Sequence, residues 1–303
     1  MEDLDVRGRF STIDMLLVSV VIFWGLNYVI VKVSLKEMEP LLFNTLRFTI
    51  GAAVCWVILL MKEKDIKISK KQFWQLMLTG VVANGINQIA FIYGVGKTTA
   101  GATSIILAST PGCVAFLASV LKLEKASMKT WIGIIISFAG VAFVVLGSGS
   151  LTGGGAESTW GNLLIVVATI FWSIYTILLR FLFKDVSTIK VTTYAMTFTT
   201  LFFLMITSKQ ILQCDWRAFS GTAWGGVFFS GVFVIGISYA LWNVGIQKVG
   251  PTKTSIYANL PPFVSVLVGW LLLGETITSI QIIGGALIIM GLVYARKARE
   301  KFR

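Results

Sequence analysis

The stretch TTAGATSIILASTPGCVAFLASVLKLE, residues Thr98–Glu124, has a counterpart in VGPTKTSIYANLPPFVSVLVGWLLLGE, residues Val249–Glu275. The second begins 151 residues after the first, and at this offset 80–141 aligns with 231–292 without a gap. The identical pairs include Gly80/Gly231, Gly85/Gly236, Gly94/Gly245, Lys97/Lys248, Thr103/Thr254, Ser104/Ser255, Pro111/Pro262, Glu124/Glu275, Gly133/Gly284 and Gly140/Gly291. Unrelated apolar helices share Leu, Ile and Val by composition, but they do not share Gly, Lys, Pro and Glu in one register. The chain is therefore an internal duplication.

The composition indicates a membrane protein. Hydrophobic residues make up 56% of the chain, charged residues make up 13%, and the mean hydropathy is +0.83. Soluble proteins have about twice this charged share. Apolar runs of about 20 residues are what an α-helix needs to cross a bilayer. A soluble α/β protein with buried strands is the alternative.

The residue types exclude several functional classes. The chain has no histidine, and its three cysteines stand singly, so the usual acid–base group and the commonest zinc ligand are missing. No glycine-rich phosphate loop is present. The net charge of +12 suggests nucleic acid at first, but the basic residues are scattered between apolar runs. The sequence predicts no enzyme, no cofactor, no metal site and no nucleic-acid partner.

Ten apolar spans are predicted, five in each half. They lie at residues 13–33, 40–61, 73–95, 99–121, 130–147, 160–179, 191–207, 221–246, 254–273 and 277–295. The predicted organisation is a first repeat at 13–147, a linker rich in Gly, Ser and Thr at 148–159, a second repeat at 160–295, and a basic cytoplasmic tail at 296–303. A weaker likeness at offset 148 relates Phe23-Trp24 to Phe171-Trp172.

The distribution of Lys and Arg predicts the topology. With the N-terminus inside, twenty basic residues fall on the cytoplasmic side, five fall outside, and Arg47 lies within a span. This positive-inside asymmetry predicts that both termini are cytoplasmic and that the chain lies in the inner or plasma membrane. Because each half has an odd number of spans, the halves insert in opposite orientations. Inverted repeats of this kind are typical of secondary transporters, with the substrate site between the repeats near the midplane.

Polar and aromatic side chains recur on one face of several spans at helical spacing. Amides that face lipid are costly, so these faces are expected to line a wet central cavity or to bond neighbouring helices. The residues predicted to bind substrate are Trp24, Asn27, Tyr28, Asn84, Asn87, Gln88, Phe91, Thr103, Trp172, Tyr175, Tyr239, Trp242, Tyr257 and Asn259.

Three prolines and one arginine are predicted to act in hinging or gating. Pro111 and the pair Pro261-Pro262 fall within spans four and nine, where proline removes a backbone donor and kinks the helix. The kinks serve either as paired hinges or as static features of the packing. Arg47 is predicted to snorkel towards the outer surface or to bind a carbonyl or carboxylate of the protein, in a structural or gating role, with direct contact to the substrate as the alternative.

The segment FWGLNYVIVKVSLKEMEPLLFNTLRFTIGA, residues 23–52, resembles the opening of EamA-type proteins of the drug/metabolite transporter superfamily. The stretches TSIILASTPGCVAFLASVLKLE and KTSIYANLPPFVSVLVGWLLLGE resemble the ends of that family's spans four and nine. The resemblance covers about residues 13–295 as two tandem units. It implies ten helices in an all-α membrane protein, an inverted five-plus-five repeat, and a cavity lined chiefly by spans one, three, four, six, eight and nine.

Members of this family typically export amino acids, other metabolites or drugs. The predicted function is secondary transport of small neutral, zwitterionic or amphipathic metabolites, with amino-acid export by alternating access as the specific expectation. An organic-cation exporter is the alternative, because aromatic faces attract cations. A membrane-embedded enzyme acting on lipid-linked substrates and a channel were also considered. The second half has no pair of Lys or Arg residues in the middle of a span that could bind a phosphate group. This absence argues against phosphorylated substrates. The expected partners are the small substrate and the bilayer, with either a monomer or a homodimer compatible with the site.

Overall fold

The computed structural model describes residues 12–123, 128–151, 155–182, 184, 186–249, 254 and 257–300. Within these ranges the chain forms helices and short connections, and no strand occurs there. The α-helices in chain order are α1 (Thr12–Ser34), α2 (Pro40–Lys62), α3 (Lys70–Leu78), α4 (Ile86–Lys97), α5 (Ala100–Leu107), α6 (Thr110–Val120), α7 (Met128–Leu151), α8 (Gly155–Leu182), α9 (Thr188–Gln213), α10 (Gly221–Phe229), α11 (Tyr239–Val249), α12 (Pro261–Leu273) and α13 (Ser279–Glu300).

In the part of the chain that the structure describes, seven helical stretches are long and apolar enough to cross a membrane. They are Thr12–Ser34, Pro40–Lys62, Lys70–Lys97, Ala100–Val120, Ala156–Leu179, Thr188–Gln213 and Gly221–Val249. Three shorter apolar helices cover Met128–Val144, Tyr257–Leu273 and Ser279–Gly291. The expected all-α membrane protein is therefore confirmed as a class, while the number of spans and the side of the termini stay predictions.

Polar caps explain where several helices begin. Ser69 and Gln72 form a reciprocal capping box at the start of α3, with distances of 3.3 and 2.8 Å. Ser187 and Ser220 accept backbone N–H bonds at the starts of α9 and α10. Pro40 occupies the first turn of α2, where its missing N–H costs nothing. These caps satisfy the free N–H groups that a helix start leaves without intrahelical partners.

The segment predicted as a linker, 148–159, is largely helical. Helix α7 continues to Leu151 and α8 begins at Gly155, while 152–154 lie outside the described residues. Glycine costs only about 1 kcal/mol relative to alanine within a helix, and tertiary context often outweighs that cost. Helices of both halves therefore extend into this segment, and its role as the linker between the repeats stays a prediction.

A π-helical turn interrupts the corresponding helix in each half. The first covers Thr79–Gly85 between α3 and α4, and the second covers Ser230–Ser238 between α10 and α11. In the second turn, the Ser238 hydroxyl donates to the Phe233 carbonyl five residues earlier at 2.7 Å. Such turns insert an extra residue into the helical repeat and shift the faces that follow. Helices α4 and α11 both begin directly after these turns and supply the central side chains described below.

Glycines let the two halves approach closely, and the contacts occur in exchanged pairs. A Cβ on Gly80 would lie 2.4 Å from the carbonyl oxygen of Ala195, and one on Gly231 would lie 3.0 Å from that of Arg47. Arg47 and Ala195 occupy equivalent positions in the two halves, at an offset of 148 residues. The contact of Gly231 with Arg47 is therefore equivalent to the contact of Gly80 with Ala195, with the halves exchanged. Gly140 and Gly284 likewise meet backbone to backbone, with built Cβ-to-carbonyl distances of 2.5 and 2.7 Å. No side chain larger than hydrogen fits these approaches without a shift of the backbone.

Two helices restart at prolines within predicted spans four and nine. In span four, α5 ends at Leu107 and α6 begins at Thr110, with Pro111 in its first turn. In span nine, a 3₁₀ turn at Tyr257–Asn259 precedes α12, which begins at Pro261. The breaks occur where the prolines remove backbone donors, and their use as hinges stays a prediction.

Candidate functional site

A central cavity lies where the two halves meet. It has a volume of about 70 Å³ and an aromatic and amide lining. The predicted site residues that line it are Trp24, Asn27, Tyr28, Arg47, Asn87, Gln88, Phe91, Trp172, Tyr239 and Pro261, joined by Leu107, Thr110, Val234, Ile235 and Ala258. The lining thus comes from α1, α2, α4, α8, the second π-helical turn, α11 and the two broken spans. Helix α2 was not among the spans that the family resemblance implied, and it contributes the cation.

A hydrogen-bond network runs from that cation across the cavity. Arg47 Nε donates to Asn44 Oδ1 at 2.8 Å, and Arg47 Nη2 donates to Gln88 Oε1 at 2.7 Å. Gln88 Nε2 in turn donates to the Tyr239 hydroxyl at 2.9 Å and to Asn87 Oδ1 at 2.8 Å. Asn87 Nδ2 donates to the Ala168 carbonyl at 2.7 Å. The network fixes the Gln88 amide and connects α2, α4, α8 and α11.

The position of Arg47 excludes one of its two expected arrangements, snorkelling outward, and agrees with the other, since Arg47 donates to amide carbonyl oxygens within the protein. Its side chain is only 1% exposed, and its guanidinium lies 5.4–5.8 Å from the ring centres of Phe43, Phe48 and Phe91. Among the described residues no carboxylate lies within 4.0 Å of it. Three faces of aromatic rings and two neutral amide oxygens hold the charge inside the protein instead.

An aromatic cluster forms another part of the wall. Trp172 stacks on Tyr175, with ring centres 5.2 Å apart and planes at 22°, and meets Tyr239 edge-on at 5.2 Å. Trp24 joins the cluster from α1, 5.7 Å from Trp172 and 4.7 Å from Trp242. The Trp242 side chain is 1% exposed, and its indole N–H has no hydrogen-bond partner among the described residues. The cluster presents apolar faces to the cavity and combines side chains from both halves.

Eight of the predicted substrate-binding and hinge residues lie outside the cavity lining, behind it or at its periphery. Asn84 donates to Thr199 at 3.0 Å, and Thr103 donates to the Thr99 carbonyl at 2.9 Å. Tyr175 accepts from Asn243 at 3.5 Å, and Tyr257 donates to Asp14. Trp242 packs on Trp24, and Pro111 lies in the first turn of α6. Asn259 lines a second, mostly apolar cavity of about 520 Å³ between α5, α12 and α13. Pro262 lines the same cavity, because successive residues of a helix point about 100° apart and only Pro261 faces the centre.

Sequence reasoning missed Asn44 altogether. This asparagine is fully buried, accepts the Arg47 Nε–H, and donates to the Gln88 carbonyl at 3.5 Å. Its position three residues before Arg47 on one helix was the available signal, since i and i+3 share a face.

A charged clasp joins three elements at the end of α1. Lys32 Nζ donates to Glu275 Oε1 at 2.6 Å and to the Thr98 carbonyl at 2.7 Å. Glu275 Oε2 accepts the Ala100 N–H, at the start of α5, at 2.9 Å. The pair is partly buried, with side-chain exposures of 26% and 13%. It ties α1, the α4–α5 connection and the α12–α13 connection together.

Comparison with known proteins identifies the family. A model of the EamA-like transporter family matches twice, at residues 11–146 and 159–296. The chain belongs to the EamA-like transporter family. The predicted membership of the drug/metabolite transporter superfamily is thereby confirmed, and the family is one of transporters rather than enzymes.

Relatives of this EamA-family protein span bacteria, archaea and plants. The uncharacterized transporter YetK of Bacillus subtilis is 27% identical over 269 residues, which cover 88% of this chain and 82% of that protein. An uncharacterized transporter of Archaeoglobus fulgidus is 25% identical over 92% of this chain and 96% of its own length. The WAT1-related protein At1g44800 of Arabidopsis thaliana is 25% identical, covering 88% of this chain and 79% of that protein. A solved crystal structure shares the fold, with a TM-score of 0.70 at 19% identity over 95% of this chain and 98% of that one.

Proposed function

We propose that this protein is a secondary transporter that moves small zwitterionic metabolites, and specifically exports amino acids, through the central cavity. The observation that carries the proposal is the cavity itself, in which both halves of a transporter-family protein bury amide, cationic and aromatic side chains. Amide groups and one guanidinium suit polar ends of a solute, and the faces of Trp24 and Trp172 suit its apolar part.

The proposed architecture has ten spans in two inverted repeats. The protein lies in the inner or plasma membrane, with both termini in the cytoplasm. The twenty-to-five distribution of Lys and Arg supports the orientation. The exchanged glycine contacts of Gly80 and Gly231 support a two-fold relation between the halves. Under this topology the Lys32–Glu275 clasp lies at the outer surface.

Alternating access is the proposed mechanism. The clasp closes the outer ends of the spans around the cavity, and the helix breaks at Pro111 and Pro261 supply places where the chain can bend. Opening outward requires that Lys32 leave Glu275 and the Thr98 carbonyl. The counterparts of this pair in the other half, Arg180 and Glu124, have side chains outside the described residues.

An organic-cation exporter is the second candidate, and the aromatic cluster favours it. Trp24, Trp172 and Tyr239 offer ring faces of the kind that bind ammonium groups. The guanidinium of Arg47 in the same small cavity opposes it, because two cations repel each other strongly where water is scarce. The zwitterion is therefore the better match.

Counterflow in liposomes tests the proposed function. Purified protein reconstituted into vesicles preloaded with one unlabelled amino acid should accumulate the labelled form, in a panel that covers aromatic, aliphatic and polar amino acids. Trp24→Ala should reduce counterflow, because it removes part of the cavity wall. Trp270→Ala is the matched control, since Trp270 is 59% exposed on α12 and faces away from the central cavity. Equal counterflow in both variants and the wild type would remove the cavity assignment.

A further inference from the structure

We infer that the substrate carries a carboxylate and that Arg47 binds it. The inference rests on the proposed transport function and deepens it: it names Arg47 as the side chain that binds the carboxylate of the zwitterion, and it makes that carboxylate a requirement for binding. It also gives Arg47 a different role from the gating one that its sequence position suggested.

The charge balance of the cavity is the first argument. Arg47 is buried, lines the cavity, and has only the neutral oxygens of Asn44 and Gln88 as described side-chain acceptors. A buried ion without a counter-charge is unfavourable, because neutral dipoles replace only part of its lost hydration. A carboxylate that enters the cavity supplies the missing negative charge. Binding energy is thus largest for an anionic group at this position.

The geometry of the guanidinium is the second argument. A guanidinium has five N–H donors in a planar fork, and the contacts to Asn44 and Gln88 use two of them. Remaining donors are available to a ligand in the cavity that Arg47 lines. Arginine pairs with carboxylates through two parallel bonds, which lysine cannot do. The fork is also held in place, since Gln88 is fixed by Tyr239 and Asn87.

A purely structural role for Arg47 is the competing explanation. The two bonds from Arg47 hold α2 against α4, so its removal would lower stability whether or not a ligand binds there. A substitution at Gln88 distinguishes the structural role of Arg47 from the ligand-binding role. A glutamate at that position would place a carboxylate against the guanidinium and keep the α2–α4 contact. It would also neutralise the positive charge of Arg47 that a ligand carboxylate needs.

The experiment compares pairs of ligands that differ only in the carboxylate. The probes are L-phenylalanine with L-phenylalaninamide and L-alanine with L-alaninamide, together with phenethylamine. Thermal stabilisation of the purified protein measures binding, since a ligand of the folded state raises its apparent stability. Proteoliposome counterflow measures transport of the same compounds. The variants are Arg47→Gln, Gln88→Glu and, as control, Arg217→Gln, which changes an exposed residue in the α9–α10 connection.

Wild type and Arg217→Gln are expected to bind the acids and to bind each amide at least about 10-fold more weakly, as the loss of one charged hydrogen-bond pair predicts. Gln88→Glu gains a charged pair with Arg47 but loses the amide donor bonds to Tyr239 and Asn87, and it is expected to remain folded and to lose the stabilisation by acids. Equal responses to acids and amides, or undiminished acid binding by Gln88→Glu, would overturn the inference. In either case counterflow of L-phenylalanine or L-alanine in the wild type would leave the proposed function standing, whereas counterflow of the amides or phenethylamine alone would favour the organic-cation exporter. No counterflow of any compound in the wild type would remove the proposed function and this inference with it.

Discussion

The two halves of the molecule keep the same frame but line the cavity differently. At positions related by the repeat, the first half has Arg47 and Gln88 in the lining where the second half has Ala195 and Tyr239. Asn84, behind the lining, corresponds to Ile235, which lines the cavity. The first half therefore supplies the cation and most of the amides, and the second half supplies aromatic and aliphatic groups. A duplicated chain that needed only a symmetric pore would have no reason to separate these chemistries.

The backbone arrangement that the two halves share depends on glycines at matching positions. Gly80 and Gly231 make the same close approach in opposite directions, and both precede the helices that carry the central side chains. Positions that match between the halves thus set backbone distances, whereas positions that differ set what the cavity binds. This division predicts which substitutions act on stability and which act on transport.

The largest effect is expected from filling the glycine contacts. Gly80→Ala and Gly231→Ala each place a Cβ within 3.0 Å of a neighbouring helix, and should lower the free energy of unfolding by about 1–3 kcal/mol, as overpacking does. Gly225→Ala is the control, because nothing lies within 4 Å of its Cβ position. Thermal unfolding in one detergent checks all three. A large effect at only one of the two contacts would mean that the frame is not shared.

The lining should respond unequally in the two halves. Gln88→Leu removes an acceptor of Arg47 and is expected to lower counterflow more than 10-fold. Tyr239→Phe removes one of two acceptors of Gln88 and should lower it about fivefold, corresponding to roughly 1 kcal/mol. Tyr294→Phe on the exposed face of α13 is the control. Equal losses at Gln88 and Tyr239 would contradict the proposed division of roles.

The clasp should affect rate rather than affinity. Glu275→Gln replaces the ion pair with Lys32 by a neutral contact, and a partly exposed pair contributes at most about 1 kcal/mol. Counterflow rates should change by a few-fold while the ligand concentration for half-maximal thermal stabilisation stays constant. A changed ligand affinity with an unchanged rate would place Glu275 in binding instead.

The smallest effect is expected at an exposed contact between the halves. The backbone N–H of Ser220, and then its hydroxyl, donate to Glu37 at 2.8 Å and lower the pKa of that carboxyl. A lowered folded-state pKa stabilises the fold above the ordinary glutamate pKa of about 4.3, and this contribution is lost as the pH falls through the folded value. Wild type should therefore lose slightly more stability than Glu37→Gln between pH 6 and pH 3. Identical unfolding temperatures throughout that range would exclude the contribution.

Periodicity predicted much of the geometry around the cavity. Trp24, Asn27 and Tyr28 on α1 line it together, as their i, i+3, i+4 spacing requires. The π-helical turns were not predicted, because a single extra residue in a helix leaves no signal in an apolar sequence. Asn84 lies inside the first of these turns and bonds Thr199 on α9, whereas Gln88 after the turn reaches the cavity.

Contacts between distant segments account for the remaining differences. The burial of Arg47 depends on rings and amides contributed by α2 and α4, and hydropathy along one span cannot show them. Asn259 was assigned to the cavity from its place in a span, but the 3₁₀ turn directs it into the second cavity. Sequence patterns identify faces well within regular helices and poorly where a helix breaks.

The contact between Trp24 and Trp242 gives the protein an optical reporter of its own. The two indoles come from different halves, and their ring centres are 4.7 Å apart at an angle of 44°. Electronic transitions of indoles this close couple, and the coupling changes steeply with distance and angle. The near-ultraviolet circular dichroism of the unlabelled protein should therefore contain a Trp24–Trp242 band whose amplitude follows any movement of one half against the other.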